Sequence, residues 1–224
     1  MAHCRVPEAD AILDHSFPVL DKGCVRLVDY LGGDERIVQV ARISYASGAR
    51  PQRDDSALID HLMHNRHLSP FEQVVLTFYI KLPIFVARQW VRHRTARINE
   101  VSGRYSILGD EFYLPSPEDL SLEKPEEVID SLRSEQKNAY EAYNERLKAG
   151  IPREIARINL PLSVYTQWYW QIDLRNLFHF LQLRLDTHAQ REIRRYAEVV
   201  LDITRTVAPH ACESFTKYRS EGYF

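Results

Sequence analysis

The sequence predicts an α+β fold, with a central mixed, largely antiparallel sheet flanked by helices in one domain over residues 1–224. Segments with the two-residue periodicity of strands lie mainly in the first half, and long segments with helical periodicity fill the second half. Strands and helices do not alternate regularly and no GxGxxG loop occurs, which argues against a parallel dinucleotide-binding sheet. A chain of 224 residues is long enough to bury one substantial core.

The first elements follow from alternation and from turn residues. Residues 25–31 (VRLVDYL) alternate as a strand does, and two glycines end the segment. Asp34 is then predicted to cap the N-terminus of a helix, and residues 56–64 have the apolar spacing of a second helix. Residues 1–20 match no pattern and are interpreted as a terminal extension.

The strongest strand signal is in residues 74–82, where large apolar side chains alternate with smaller or polar ones. Pro83 closes this strand and is suited to the first turn of a helix over residues 84–91. The chain that follows is polar and lacks periodicity, so it is predicted to be irregular as far as a β-like piece at residues 112–114. This irregular segment includes Asn99, Ser102 and Gly103.

The second half is mainly helical by its pattern. Residues 125–148 carry helical apolar spacing with Gly150 as a stop signal, and a short helix is expected between Pro152 and Pro161. The aromatic run at residues 164–172 (VYTQWYWQI) fits either a strand or a buried helix. Two further helices are predicted at residues 174–185 and 189–207, the second of them ended by Pro209.

Composition excludes several classes of protein. The net charge of −2 argues against a general nucleic-acid-binding protein, and no apolar run reaches the roughly 20 residues that a membrane-spanning helix needs. The N-terminus has acidic residues and no apolar core, so it is not expected to be a secretory signal. Three scattered cysteines form neither a disulfide framework nor a metal motif, which favours the reducing cytoplasm.

The basic residues are unevenly chosen, with 23 Arg against 6 Lys, and five of the arginines lie within residues 88–105. Arg88 and Arg92 are four residues apart on the predicted helix and share one face. Arginine binds phosphate and carboxylate groups through two parallel hydrogen bonds, so this segment is a candidate anion site. A solvated basic loop with Glu100 as its counter-charge explains the same residues equally well.

A motif favours the anion site. Arg92, His93 and Arg94 are followed by seven residues and then Ser102, a pattern that resembles the RHR-x7-S signature of the flavin-dependent thymidylate synthases. The neighbouring NEVSGRYS is also similar to that family, and further similar blocks occur in the family's order. These blocks are residues 67–72, 83–90, 152–157, 181–184 and 188–190. The resemblance covers residues 21–218, which is nearly the whole chain.

The resemblance implies reductive methylation of dUMP to dTMP in de novo dTMP synthesis. It further implies FAD as the cofactor, with 5,10-methylenetetrahydrofolate and NADPH as co-substrates, and no metal. It also implies a homotetramer whose active sites are shared between subunits. No nucleic acid or membrane partner is expected, given the net charge and the lack of a long apolar run.

The resemblance also assigns residues to ligands. The dUMP site is implied to contain Gln89, Trp90, Val91, Arg92, Glu100, Val101, Ser102, Gly103, Arg104, Arg157 and Arg184. The FAD site is implied to contain Ser69, Arg92, His93, Arg94, Glu100, Asp173, Leu174, Arg175 and His179, with His67 near the flavin and the folate. Arg184 is the candidate catalytic residue, because a guanidinium beside uracil stabilises negative charge that develops on the ring.

Other interpretations of single motifs are weaker. Ser102 is not in a GxSxG turn, so a nucleophilic role is disfavoured, and the cysteines lie outside the similar blocks. The HxxHxxH run at His61, His64 and His67 places its outer rings about 120° apart on a helix, a poor metal site. His188 suits a hydrogen bond at a helix start as well as catalysis. A nucleotide- or RNA-binding module without catalysis remains the alternative function.

Overall fold

A computed structural model describes residues 4–43 and 54–219. Within these ranges five strands form one sheet in the order β1-β2-β3-β5-β4, and every neighbouring pair is antiparallel. The strands are β1 (Phe17–Val19), β2 (Gly23–Leu31), β3 (Val75–Pro83), β4 (Arg97–Glu100) and β5 (Tyr165–Asp173). The predicted α+β class with a largely antiparallel sheet is confirmed. None of the helices in the described ranges is long and apolar enough to cross a membrane.

Nine α-helices lie in the described part of the chain. They are α1 (Pro7–Asp10), α2 (Asp34–Ile43), α3 (Asp55–His64), α4 (Ile84–Trp90), α5 (Pro125–Lys148), α6 (Arg153–Ala156), α7 (Leu174–Arg184), α8 (Arg191–Val207) and α9 (Pro209–Tyr218). The predicted helices at 56–64, 84–91, 125–148 and 174–185 are confirmed within a residue or two at their ends. Gly150 follows α5 with a positive φ of 79°, as expected for a C-terminal stop.

The core lies on one face of the sheet, because alternate residues of the central strands point the same way. Phe78 and Ile80 of β3 and Trp168 and Trp170 of β5 are at most 1% exposed. The aromatic run therefore forms a strand and not a helix, since its period-two burial matches that of β3 opposite. Trp90 of α4 packs edge-on against Trp170, with ring centroids 5.0 Å apart, which fixes the end of α4 over the sheet.

The prediction of an irregular segment after α4 was wrong in part. Residues 97–100 form the edge strand β4, and all four residues are exposed, so no apolar alternation marked them. The helix predicted at residues 189–207 does end before Pro209, since α8 stops at Val207. Pro209 then begins α9, where its missing N–H costs nothing. The piece at 112–114 makes only one isolated bridge, between Phe112 and Val164.

The N-terminal residues pack on the sheet. Ala9 of α1 is fully buried, and β1 pairs with β2 from Phe17 to Val19. Asp34 is the first residue of α2 and not its cap as predicted, because its carboxylate accepts hydrogen bonds from the backbone N–H groups of His210 and Ala211 at 2.7 and 3.1 Å. The side chain thus caps the distant helix α9 and joins the two halves of the chain.

Candidate functional site

The C-terminal ends of α4 and α7 meet beside the sheet and bring Arg184 to the RHR motif. Arg184 Nε donates to Nε2 of His93 at 3.0 Å, and Arg184 Nη2 donates to the carbonyl oxygen of Gln89 at 3.1 Å. The turn after α4 places His93 there, since its backbone N–H donates to the carbonyl of Trp90 at 3.0 Å. Sequence positions 89, 93 and 184 are thus joined in one cluster.

His93 is uncharged in this environment. It is 9% exposed, and its ring lies edge-on against Phe180 with centroids 4.9 Å apart. Burial, together with the nearby Arg184 and His179, lowers the pKa of His93 to about 4. Burial also lowers the pKa of Arg184, but a guanidinium keeps its charge at neutral pH. A neutral imidazole therefore accepts from a charged guanidinium.

A cleft of about 790 Å³ opens next to this cluster. Its lining residues come from α7, the RHR motif and the loop before β3, and they are Leu68, Arg92, His93, Arg94, Thr95, Arg175, Asn176, His179, Leu183 and Arg184. Four of these residues are arginines and none is an aspartate or glutamate. The cleft is therefore suited to an anionic ligand, and a pyrophosphate fits this donor set.

A second cleft of about 590 Å³ shares Leu183 and Arg184 with the first. Its other walls come from the loop between α7 and α8, including Asp186 and His188, and from Arg219 after α9. The Asp186 carboxylate accepts from the backbone N–H of His188 at 2.8 Å. Arg184 thus lies between two clefts and can face a ligand in either.

The residues predicted to contact the flavin fall into two groups. Arg92, His93, Arg94, Arg175 and His179 line the first cleft together. Other predicted residues have structural partners or are hidden. The Asp173 carboxylate caps α7 by accepting from the N–H of Asn176 at 3.0 Å, and the side chain of Leu174 is fully buried. Trp90, which was predicted for the dUMP site, also has a fully buried side chain. For Leu174 and Trp90 this leaves only backbone atoms for contact with a ligand.

His67 and Ser69 are both exposed, His67 just before the 3₁₀ turn Ser69–Gln73 and Ser69 at its start. Leu68 between them lines the first cleft, so this loop borders the cleft. Arg175, also on the cleft, forms an ion pair with Glu72 of the same turn. This pair holds the loop against α7, and Glu72 was not among the predicted site residues although it belongs to the similar block at 67–72.

A second set of predicted residues lies away from this cleft. Glu100 ends β4, where its carboxylate accepts from the hydroxyl of Thr166 at 2.6 Å, and the turn that follows carries Ser102 and Arg104. Gly103 lies against Arg157, because a Cβ added at Gly103 would be 2.7 Å from Nη1 of that arginine. Neither cleft at Arg184 is lined by Glu100, Arg157 or the residues 101–104.

The arginines of the segment at residues 88–105 are not paired with carboxylates in the described part of the chain. Within residues 4–43 and 54–219, no salt bridge involves Arg88, Arg92, Arg94, Arg97 or Arg104, whereas Arg26, Arg42, Arg133, Arg175, Arg191, Arg195 and Arg205 each pair with a carboxylate. Glu100, the one acid of the segment, binds Thr166 instead of an arginine. These five guanidinium groups therefore have no carboxylate partner among the residues that the structure describes, which favours the anion-site interpretation.

Gln190 is a site neighbour that sequence reasoning did not single out. Nε2 of Gln89 donates to the side-chain oxygen Oε1 of Gln190, and Nε2 of Gln190 donates to the carboxylate of Glu192 at 2.7 Å. Gln190 belongs to the family-like block at residues 188–190, and this was the sequence feature that could have identified it.

The histidine run offers no metal site. His61 and His64 lie exposed on α3, and no group of three or more metal-ligating side chains is found in the described residues.

Comparison with known proteins gives a consistent set of relatives. The family model described as thymidylate synthase complementing protein, Thy1, matches residues 26–210. The flavin-dependent thymidylate synthase of Treponema denticola is 57% identical over 226 residues, which cover 94% of this chain and 85% of the relative. The enzyme of that name from Thermus thermophilus is 51% identical over 219 residues, covering 93% of this chain and 81% of the relative.

Solved structures agree with the sequence relatives. The UMP/dUMP methylase PolB from Streptomyces cacaoi, bound with 5-Br dUMP, matches with a TM-score of 0.82 and 33% identity, over 90% of this chain and 97% of that chain. The same protein bound with 5-Br UMP gives a TM-score of 0.81 and 35% identity, over 89% and 96% of the two chains. The similarity therefore extends through the sheet and most of the helices.

Proposed function

Since the chain belongs to the family of flavin-dependent thymidylate synthases, we propose that it converts dUMP to dTMP, with 5,10-methylenetetrahydrofolate as carbon donor and FAD reduced by NADPH as hydride source. The observation that carries this proposal is the cleft of about 790 Å³ lined by four arginines and no acid, with Arg184 held at its rim. FAD and dUMP are both anionic ligands of the kind that such a cleft selects.

In this proposal Arg92, Arg94 and Arg175 bind the phosphates of FAD, and His179 and Asn176 offer hydrogen bonds on the same wall. FAD, when bound, supplies the hydride, and the protein supplies orientation and charge. FAD fits this cleft because a guanidinium donates two parallel hydrogen bonds to phosphate oxygens. Arg92 and Arg94 are available for such bonds, since neither has a carboxylate partner among the described residues.

Arg184 is proposed to act on the pyrimidine. Making C5 of uracil nucleophilic requires negative charge on the ring, and a fixed guanidinium beside N3 and O4 stabilises that charge. Two hydrogen bonds already fix Arg184, so little reorganisation is needed when the charge develops. Arg184 cannot be the base, because its guanidinium remains protonated at neutral pH.

The phosphate of dUMP is proposed to bind Ser102, Gly103, Arg104 and Arg157. Gly103 allows Arg157 to approach the backbone closely, since a side chain at this position would collide with that guanidinium. These residues do not line the clefts at Arg184. We therefore propose that one dUMP molecule contacts Arg184 of one subunit and the phosphate-binding residues of another. This arrangement supports the proposed homotetramer with shared sites.

Exposed apolar residues also support an assembly. Ile155, Ile158 and Leu162, on and after α6, are 52%, 68% and 62% exposed, next to Arg157. Apolar residues grouped in this way commonly mark an interface between subunits.

We propose that the enzyme is cytoplasmic. Cys4, Cys24 and Cys212 are all free thiols, and a reducing compartment keeps thiols in this state.

The absorbance of bound flavin provides a test of the proposed function. Purified protein is expected to be yellow, and NADPH added without oxygen should bleach the absorbance of bound flavin. Adding back dUMP and methylenetetrahydrofolate should restore the oxidised spectrum and yield dTMP. A colourless protein whose RNA affinity falls steeply with salt would instead show a nucleic-acid-binding module.

A further inference from the structure

The contact between His93 and Arg184 carries an inference that rests on the proposed function. An arginine side chain turns about several bonds, and a freely turning guanidinium would present its charge to a ligand in many directions. In this structure two acceptors hold it: Nε2 of His93 at 3.0 Å and the Gln89 carbonyl at 3.1 Å. His93 is the one of these two acceptors that a side-chain substitution can remove.

The two contacts use one edge of the guanidinium. Nε and Nη2 lie on the same side of the planar group, so acceptors on both fix the plane as well as the position. The remaining N–H groups, on Nη1 and on the outer side of Nη2, then point away from His93. Since Arg184 lines both clefts, these remaining donors are the ones available to a ligand.

This contact requires an imidazole with a free lone pair. Arg184 Nε carries a proton and is a donor only, so Nε2 of His93 must accept, and the ring proton of His93 lies on Nδ1. The groups that face His93 keep it in this form. They are Arg184 and His179 of α7, with ring centroids of the two histidines 6.0 Å apart, and the apolar ring of Phe180. No carboxylate lines the cleft beside it.

We propose that His93 is a positioning residue for the thymidylate synthase reaction, which as a neutral acceptor orients the guanidinium of Arg184 toward the pyrimidine. This role is separate from any contact that His93 makes with the flavin. A reoriented Arg184 would still carry its charge, so dUMP would still bind, but the charge would not be aimed at the position where the ring becomes negative. The loss would therefore fall on kcat more than on the KM for dUMP.

The test compares His93→Gln with His93→Phe. Glutamine keeps an acceptor oxygen, whereas phenylalanine keeps an aromatic ring against Phe180 without an acceptor. We expect kcat of His93→Phe to fall by on the order of 100-fold, the scale of a misplaced catalytic group, with a much smaller change in KM. His93→Gln should recover most of that loss. His15→Phe, at an exposed histidine that lines neither cleft, is the control for the substitution itself.

Crystal structures of the flavin-free variants give a readout that does not depend on activity. The guanidinium of Arg184 should keep its orientation in His93→Gln and leave the Gln89 carbonyl in His93→Phe. His93→Leu serves in its place if the phenylalanine variant does not fold. Arg184 in its original orientation in the acceptor-free variant, or equal losses of kcat in both variants, would overturn the proposal. Failure of the unmodified protein to form dTMP would count against the proposed function and leave the crystallographic test intact.

Discussion

Arg184 is held at two points and still has N–H groups left for a ligand. Its Nε and Nη2 bind His93 and Gln89, while the guanidinium remains partly open to two clefts. A surface arginine paired with a carboxylate, such as Arg195 with Glu198, has neither a fixed orientation nor an unneutralised charge. At the scale of single residues, the site therefore contains three arginines, Arg92, Arg94 and Arg184, that form no salt bridge within the described part of the chain, whereas Arg175 pairs with Glu72.

The first prediction concerns this residue. Arg184→Ala should lower kcat for dTMP formation by about 10²–10³-fold, the loss seen when one group that stabilises developing charge is removed. The flavin content per subunit, measured by absorbance, should change little, because three other arginines line the cleft that we propose binds the flavin. Arg195→Ala is the matched control on an exposed helix face. Equal loss of flavin and turnover would show that Arg184 is structural.

The second prediction follows from the lowered pKa of His93. The folded protein has a pKa of about 4 at this ring, whereas an unfolded histidine has about 6.5. Between these values the unfolded chain binds more protons, so this residue lowers the free energy of unfolding as pH falls from about 6.5 to about 4.

The substitution His93→Gln removes the imidazole ring whose protonation causes this loss of stability. The stability of the unmodified protein relative to His93→Gln should therefore decrease as pH is lowered through the same window. Urea unfolding at a fixed protein concentration, repeated across the window, measures the difference. A difference that stays constant with pH would contradict the burial of a neutral ring.

At the scale of elements, most of the fold could be predicted because burial is periodic. β3 alternates buried and half-buried residues along its length, and α5 begins and ends where its proline and glycine signals predict. The edge strand β4 could not be found this way, since both of its faces are exposed and only its pairing with β5 defines it. Nor could the sequence reveal that Asp34 caps α9, because that contact depends on tertiary structure.

Asp173 gives the third prediction. Its carboxylate accepts from the N–H of Asn176 at the start of α7, the helix that carries Arg184 at its other end. Asp173→Ala should lower the free energy of unfolding by about 0.5–2 kcal/mol through loss of the cap, and Asp173→Asn, which still caps, by much less. Asp202→Ala, on the exposed face of α8, is the control. If the alanine variant is as stable as the asparagine variant, the cap has no role and the residue is free to serve the flavin.

At the scale of the whole molecule, the predicted site residues separate into two places on one subunit. Five of the residues predicted for the flavin site meet Arg184 at a cleft, while Glu100, Ser102, Arg104 and Arg157 lie around the end of β4; the five are Arg92, His93, Arg94, Arg175 and His179. Similarity to the family predicted which residues belong to the site. It did not predict that they lie in two places, because residues 92–94 and 100–104 are close in the chain but lie at opposite ends of the edge strand β4.

The fourth prediction uses this separation. Arg184→Ala and Arg104→Ala proteins should each have little activity alone, but mixing them after dissociation and reassembly should restore it if one site takes these residues from different subunits. With random mixing, each site receives both intact residues about one time in four, so about a quarter of the original activity is expected. No recovery in verified mixed tetramers would place both arginines in one subunit's own site.

The most direct test of the central claim is the release of tritium from [5-³H]dUMP, because replacing the hydrogen at C5 is what methylation requires. With methylenetetrahydrofolate, FAD and NADPH present, the protein is predicted to release tritium in step with dTMP formation, and Arg184→Ala is predicted to release it far more slowly. Retention of the tritium by a folded, flavin-loaded protein under these conditions would contradict the assignment of this chain to dUMP methylation.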